Sequence, residues 1–347
     1  MATTHEEAIY AARKVIVTYE DLPAVISIEA AIREKSFYPD KFEIESGSLH
    51  NEEAVADFVV EGDVHIGGQE HFYLETNCAL VQPIENRQLE ITSSTQNATE
   101  TQMHCASACG IPASHVMSKV KRIGGGFGGK ESRAAQFACP IAIAAHLMQV
   151  PVRMTVERDT DMSLSGQRHA FYGKYRAGCD KDGKLKFMDL ELFSNAGFSY
   201  DLSAPVLGRA MFHCDGPYYW PALRTRGTMC RTNQPSNTAF RGFGGPQGML
   251  MCETVMEHLA TQAGMPTQTL RAMNLYKEGQ HTHYGQPLEA FNVPFAWQQI
   301  LEEAKVAERQ AAIDTFNKEN KWKKRGLCVL PTKYGLNYTA KFMNQVS

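Results

Sequence analysis

Apolar positions along this chain change period several times, and each change marks an element. From residue 24 onward, alternating stretches and helically spaced stretches mix, which is the pattern of an α+β fold. Alternation predicts a strand over 89–94. Helical spacing predicts a helix over 97–109, closed by Gly110 and Pro112. A strand is expected at 116–123, an alanine-rich helix at 132–148 and a buried strand at 152–157. The stretch 172–193 reads as a hairpin turning at Asp180-Lys181-Asp182-Gly183. A helix over 247–263 stops at Gly264 and Pro266. Beyond a polar stretch at 278–292, a long helix is expected over 294–317, with Trp297, Ile300, Leu301 and Ala304 on one face. New strands are expected at 327–330 and 338–342. The opening residues predict a helix over 8–13 and a β-branched strand over 15–19, too little to make a domain. A pattern that stops mid-course leads us to expect a fragment.

Size narrows the choices. At 347 residues the chain is long enough for about two domains of ~100–200 residues each. With 43% hydrophobic and 21% charged residues it is globular. A net charge of -3, with no basic stripe interleaved with aromatics, argues against a nucleic-acid partner. The one basic cluster, Lys321 to Arg325, is broken by Trp322 and reads as a solvated turn. No run reaches the ~18 apolar residues of a membrane span, and the acidic, polar first residues are no signal peptide. Nine cysteines, an odd number without paired spacing, predict reduced thiols and an intracellular home. Cys105 and Cys109 have no second pair to complete a zinc or iron–sulfur site, so they read as small buried apolar residues.

Chemistry concentrates in two glycine-rich turns, Gly124-Gly125-Gly126-Phe127-Gly128-Gly129-Lys130-Glu131 and Ala239-Phe240-Arg241-Gly242-Phe243-Gly244-Gly245. Runs of glycine are costly in ordered backbone, and close approach to a ligand is the usual reason for them. Two such turns suggest one large anionic ligand held from two sides. The first nearly satisfies two phosphate motifs. As G-x-x-x-x-G-K it fails, because Glu131 stands where a P-loop needs a hydroxyl for magnesium. As G-x-G-x-x-G between strand and helix, with Glu157 ending the next strand, it keeps a dinucleotide-binding dehydrogenase open. The second turn favours a different ligand, since Arg241 among free backbone N–H groups makes a nest for oxyanions or electron-rich heteroatoms.

Longer motifs carry a family resemblance. Gly67-Gly68-Gln69-Glu70-His71-Phe72-Tyr73-Leu74-Glu75, Ser94-Thr95-Gln96-Asn97, 124–131, 236–245 and Lys323-Lys324-Arg325-Gly326 together resemble the xanthine dehydrogenase family of molybdenum hydroxylases, almost end to end. On that resemblance, residues 1–22 are the tail of a hammerhead-like α/β domain and 24–277 the first molybdopterin-binding subdomain. Residues 278–293 are then a linker, and 294–347 the truncated start of the second subdomain. The implied cofactor is molybdenum-molybdopterin. The implied reaction is hydroxylation of hypoxanthine and xanthine to urate, with electrons leaving through 2Fe-2S clusters and FAD to NAD or oxygen. Those further cofactors belong to the full-length protein, implied to be a homodimer that is cytoplasmic or peroxisomal, with no membrane partner. This chain alone is expected to turn over no purine.

The same resemblance implies residue roles. Gln96 would hydrogen-bond the metal's oxo ligand, Phe127 and Gly128 would pack over the molybdenum, and Arg241 would contact pterin and metal ligands. None of these ligates the metal directly. Glu131 would meet the purine edge, and Arg209 would steady negative charge developing on a purine oxygen, a task suited to a guanidinium. Phe243 would stack on one face of the purine, with Tyr338 and Thr339 on the other. The family's purine oxidisers usually carry phenylalanine where Tyr338 stands, and the phenol needs a partner when buried. An aldehyde oxidase of the same family is the alternative. Such enzymes usually replace one or both charges, whereas this chain keeps Glu131 and Arg209.

Overall fold

The computed structural model describes residues 1–335. Tyr338, Thr339 and the strand expected at 338–342 lie outside the described residues. In chain order the elements begin with α1 (His5–Ala12), α2 (Ile28–Arg33), β1 (Phe37–Ser46), α3 (Leu49–Glu53), β2 (Phe58–Ile66), β3 (Cys78–Ile84) and β4 (Gln88–Ser93). Next come α4 (Ala98–Cys109), β5 (Val116–Lys119), α5 (Ala134–Met148), β6 (Val152–Thr155), α6 (Arg158–Leu164), β7 (Phe171–Cys179) and β8 (Leu185–Gly197). The last are α7 (Ser203–His213), β9 (Ala222–Arg231), α8 (Gly245–Gln262), α9 (Thr267–Asn274), α10 (Val293–Glu303) and α11 (Val306–Glu319).

Two sheets organise this mixed α+β fold. The larger has the order β1-β9-β8-β7-β2, antiparallel except for the parallel pair β8 and β9. Helices α7 and α8 lie against it, and its main core includes Leu190, Leu192, Leu207, Met211, Met251 and Val255, all essentially buried. The smaller sheet has the order β5-β4-β3-β6 and is covered by α4 and α5. Its separate core gathers Val81, Leu89, Ile91, Cys105, Ala138 and Ala142. Each glycine-rich turn leads from one of these layers into its covering helix. The first joins β5 to α5; the second follows β9 and opens α8. The turns therefore meet where the two layers adjoin.

Local signals explain several elements. Asn97 caps α4 by accepting the N–H of Glu100 at 3.0 Å, and Gly110 ends it in the left-handed region at φ 66°. The hairpin expected over 172–193 is β7 paired antiparallel with β8.

Other expectations are corrected. Residues 15–19 form no strand and lie exposed, Ile16 at 92%, because no second strand runs beside them. No strand forms at 327–330 either. The long helix over 294–317 breaks at Lys305, which sits at φ 49° between α10 and α11. The strand expected at 116–123 stops at Lys119. The strand expected to be buried at 152–157 is a short edge strand with alternate residues exposed. Cys105 is buried, but Cys109 is only partly so. The linker reading of 278–293 is not corrected; within it, Gly279 N–H donates to the Leu288 carbonyl at 2.8 Å and His283 is buried.

Candidate functional site

The two glycine turns touch directly. Arg241 N–H donates to the Phe127 carbonyl at 2.9 Å. His71 Nε2 lies 2.7 Å from the Ala239 carbonyl, and its ring stacks on Phe240 with centroids 4.5 Å apart. Arg168 covers the other side of this joint. Its guanidinium lies 3.9 Å from the Phe240 ring centroid and donates to the Arg241 carbonyl at 2.9 Å. His71 and Arg168 were not singled out from the sequence for this role, because nothing local marks them as braces.

Glycine is required here by the protein's own packing. Gly128 has φ +102°, and a Cβ on it would sit 2.5 Å from the Ala239 carbonyl oxygen. Gly244 has φ +94°, and its Cβ would fall within 2.0 Å of the Val206 carbonyl oxygen on α7. Packing within the protein is thus a reason for these two glycines besides approach to a ligand. Their absence of side chains lets one turn lie on the other, and the second turn lie on α7. Between the glycines, Phe127 and Phe243 occupy matching positions in left-handed backbone, at φ 53° and 50°. Non-glycine residues rarely adopt that conformation, and its strain concentrates at functional sites.

Gln96 ties down the first turn. Its Oε1 accepts the Gly128 N–H at 2.8 Å and the Lys130 N–H at 3.3 Å, leaving the amide NH2 to donate elsewhere. Lys130 is fully buried; its ammonium donates to the Glu75 carbonyl at 2.7 Å and to Ser94 Oγ at 2.5 Å, and pairs with Glu75 Oε2 at 3.1 Å. It is an internal brace, its ammonium held by protein partners alone among the described residues. Burial pushes the lysine below its usual range. Burial alone would raise Glu75, but the Gly124 N–H, Ser94 and Lys130 hold it below the usual carboxylate range.

Glu131 follows at once. It is partly buried, and its carboxylate makes no hydrogen bond among the described residues. Burial, then the charges of Glu100 and Asp201, push its pKa up. Next to it, Ser132 Oγ donates to Asp201 at 2.8 Å and Arg133 pairs with Asp201 at 3.5 Å, which ties this end of the turn to the start of α7.

Arg209 projects from α7 and is buried at 6% exposure, where a surface charge would be the ordinary expectation. Its guanidinium lies 5.4 Å from the Tyr334 ring centroid, and the Tyr334 hydroxyl donates to the Gly242 carbonyl at 2.9 Å. Arg209 and Tyr334 therefore meet beside the second turn, which carries Phe243. Gln96, Phe127, Gly128 and Glu131 belong to the first turn, with Arg241 at the joint between them. Arg241 itself is exposed. A cavity of about 440 Å³ lies elsewhere, lined by residues including Glu45, Arg176, Asp189 and Arg224 on the large sheet. None of the residues just described lines it.

The turn does not make a dinucleotide site. After β5 and α5 the chain enters β6, at the opposite edge of the small sheet and antiparallel to its neighbour β3. A dinucleotide fold needs adjacent parallel strands around its helix. Glu157, the expected ribose ligand, lies exposed 2.9 Å from His5.

Residues 32–275 match the family described as "Molybdopterin cofactor-binding domain". The chain belongs to that family. This molybdopterin-binding domain protein is 47% identical over 346 residues to the xanthine dehydrogenase/oxidase of Rattus norvegicus, covering 99% of this chain and 26% of that protein. It is 45% identical over 345 residues to the xanthine dehydrogenase of Dictyostelium discoideum, covering 99% of this chain and 25% of that one. The chain thus spans about a quarter of the length of these curated relatives. Its fold superimposes on the aldehyde oxidoreductase from Desulfovibrio gigas with TM-score 0.82 and 28% identity, covering 92% of this chain and 36% of that one. Among the described residues of the molybdopterin-binding domain protein, no three His, Cys, Asp or Glu side chains cluster to hold a metal ion. No helix among them is long and apolar enough to cross a membrane.

Proposed function

We propose that this chain is the molybdopterin-binding part of a purine hydroxylase of the xanthine dehydrogenase type. The carrying observation is the 2.9 Å bond from Arg241 N–H to the Phe127 carbonyl, which joins the two turns into one surface. That surface fits a large anionic cofactor. Among the described residues, the N–H groups of Gly126 and Phe127 have no hydrogen-bond partner, the Gln96 NH2 is spare, and Arg241 stands exposed beside them. These are donors gathered where a pterin phosphate and metal oxygens would need them. When bound, the molybdenum cofactor supplies the redox step and the activated oxygen.

The chain's own residues then hold and orient the substrate. Gln96, fixed through its carbonyl, would use its amide NH2 to help hold the cofactor. Phe127 and Gly128 would pack beside it. Glu131, with a raised pKa, keeps its proton to higher pH and can donate to, or accept from, a purine edge. Arg209 offers guanidinium donors to a purine oxygen that gains negative charge. Phe243 supplies a stacking face. Residues 24–277 form the first subdomain in this reading, 1–22 the end of a preceding hammerhead-like domain, and 294–347 the beginning of a second subdomain. The complete enzyme, a homodimer in the cytosol or peroxisome, adds 2Fe-2S clusters and FAD.

The test uses the complete enzyme that carries this segment. Glu131→Gln and Arg209→Met should each lower kcat/KM for xanthine by roughly 10²-fold or more, the scale of removing one preorganised stabilising group. If both variants oxidise xanthine normally, or if the parent strongly prefers a flat aldehyde, the purine assignment is wrong.

A further inference from the structure

Asp215, just beyond α7, is fully buried and gathers three distant parts of the chain. Its Oδ2 accepts from Lys333 Nζ at 2.7 Å and from the Tyr276 hydroxyl at 2.9 Å, and His283 Nδ1 lies 3.5 Å away. His283 Nε2 reaches back to the Met211 carbonyl on α7 at 2.9 Å. The Lys333 ammonium is nearly enclosed, 5.2 Å from the Tyr276 ring centroid and 5.5 Å from that of Tyr284. A buried ion pair is weak evidence of stabilisation, because desolvating both charges offsets most of their attraction. Its better-attested use is to fix a register. Here it fixes where residue 334 falls.

Tyr334, the next residue, is held at three points. Its hydroxyl donates to the Gly242 carbonyl at 2.9 Å, its ring centroid lies 4.8 Å from that of His213, and its face lies 5.4 Å from the Arg209 guanidinium. Its ring is so close to the second turn that a Cβ on Gly245 would come within 2.7 Å of it. Arg209 is also tied through its own backbone, since the His213 ring nitrogen Nδ1 lies 2.9 Å from the Arg209 carbonyl. Burial keeps that histidine neutral, with its pKa lowered to about 4, so Nδ1 carries the proton and donates. One ion pair therefore anchors a short segment whose tyrosine touches both the glycine turn and the arginine.

We propose that Asp215, Lys333 and Tyr334 act together as a strap that positions the Arg209 guanidinium for substrate. Lys333 is the anchor in Asp215, and Tyr334 is the pin across Gly242 and Arg209. All three are positioning residues, and the proposal rests on the reading of Arg209 as the residue that meets the purine oxygen.

Two measurements separate the strap from that reading. The first is hydrogen exchange on the 347-residue chain, which does not depend on function. Tyr334→Ala and Lys333→Met should each speed exchange about tenfold at residues 242–245, as local opening becomes easier. The second is equilibrium binding of urate, the purine already fully oxidised, to the complete enzyme. Arg209→Met serves as the reference. Tyr334→Phe keeps the ring and loses one hydrogen bond, so urate should bind about threefold more weakly, and Tyr334→Ala at least tenfold. Lys333→Met should resemble Tyr334→Ala, and Lys333→Arg should restore most of the affinity. Should Lys333→Met fail to fold, the two tyrosine variants carry the test. If Arg209→Met weakens urate binding while the Tyr334 variants bind like the parent, the strap is refuted and the purine reading stands. If Arg209→Met itself binds urate normally, both fall. Unchanged exchange at 242–245 in both variants would refute the strap on its own.

Discussion

Gly128→Ala tests the joint between the two turns most sharply. Gly128 sits at φ +102°, and a Cβ there would lie 2.5 Å from the Ala239 carbonyl oxygen, 2.7 Å from its carbon and 3.0 Å from Phe240 N. Optimal carbon contacts fall near ~3.5–4.0 Å, so the new methyl would intrude by roughly 1 Å. All three neighbours are backbone, so no rotamer change can relieve the clash. Left-handed backbone costs a non-glycine residue roughly 1–2 kcal/mol. Overpacking a rigid site adds roughly 1–3 kcal/mol. The expected loss is therefore about 2–5 kcal/mol, together with rupture of the Arg241 N–H to Phe127 carbonyl bond. Urea unfolding of the purified chain measures it. Gly208→Ala is the control of opposite sign: it lies within α7, at no positive φ and with open space around it, so alanine should stabilise by ~0.5–1 kcal/mol. A Gly128→Ala chain within about 0.5 kcal/mol of the parent, the range of a bland surface change, would show that the turns are not pressed together.

Other outcomes follow from the charges. Glu131 has a raised pKa in the fold, so its penalty acts above that folded value and is relieved as pH falls through it toward the unfolded value. Glu131→Gln should therefore raise the urea midpoint at pH 8, with the gain shrinking toward pH 4; a loss of stability at pH 8 would contradict the desolvation argument. In the complete enzyme the same variant should weaken urate binding by roughly 10–100-fold, the worth of a hydrogen bond to a charged group. Lys130→Met should cost about 2–3 kcal/mol, less than the ~3–5 of a fully enclosed pair, because Glu75 is 36% exposed and can rehydrate. A neutral result in urea would mean that Lys130 is not the brace of the first turn.

Elements with local punctuation were legible in the sequence. Asn97 and Gly110 delimit α4 because a capping side chain and a left-handed glycine act within one turn of backbone. The hairpin of β7 and β8 was equally plain, because its turn residues sit between two alternating runs. Strand 15–19 was misread because β-branched composition reports propensity, while a strand also needs a partner. The break at Lys305 was invisible because apolar spacing continues through it, while the backbone at Lys305 turns to the left-handed region. The motifs holding Gln96, Glu131, Arg209, Arg241 and Phe243 could be quoted from the sequence; what joins them could not. Lys333 and Asp215 are 118 residues apart, and Tyr334 meets Gly242 across 92. No periodicity encodes such pairings. The packing role of the glycines was also hidden, since only three-dimensional contact reveals that a Cβ on Gly128 would meet the Ala239 carbonyl.

The most direct test of the site as a whole is a crystal structure of the complete enzyme with a purine bound. The expected result is one purine whose heteroatoms lie within ~2.6–3.2 Å of both the Glu131 carboxyl and the Arg209 guanidinium, with the Phe243 ring stacked on its face. A purine that touches only one of these two charges, or that sits away from the joined turns, would contradict the proposal.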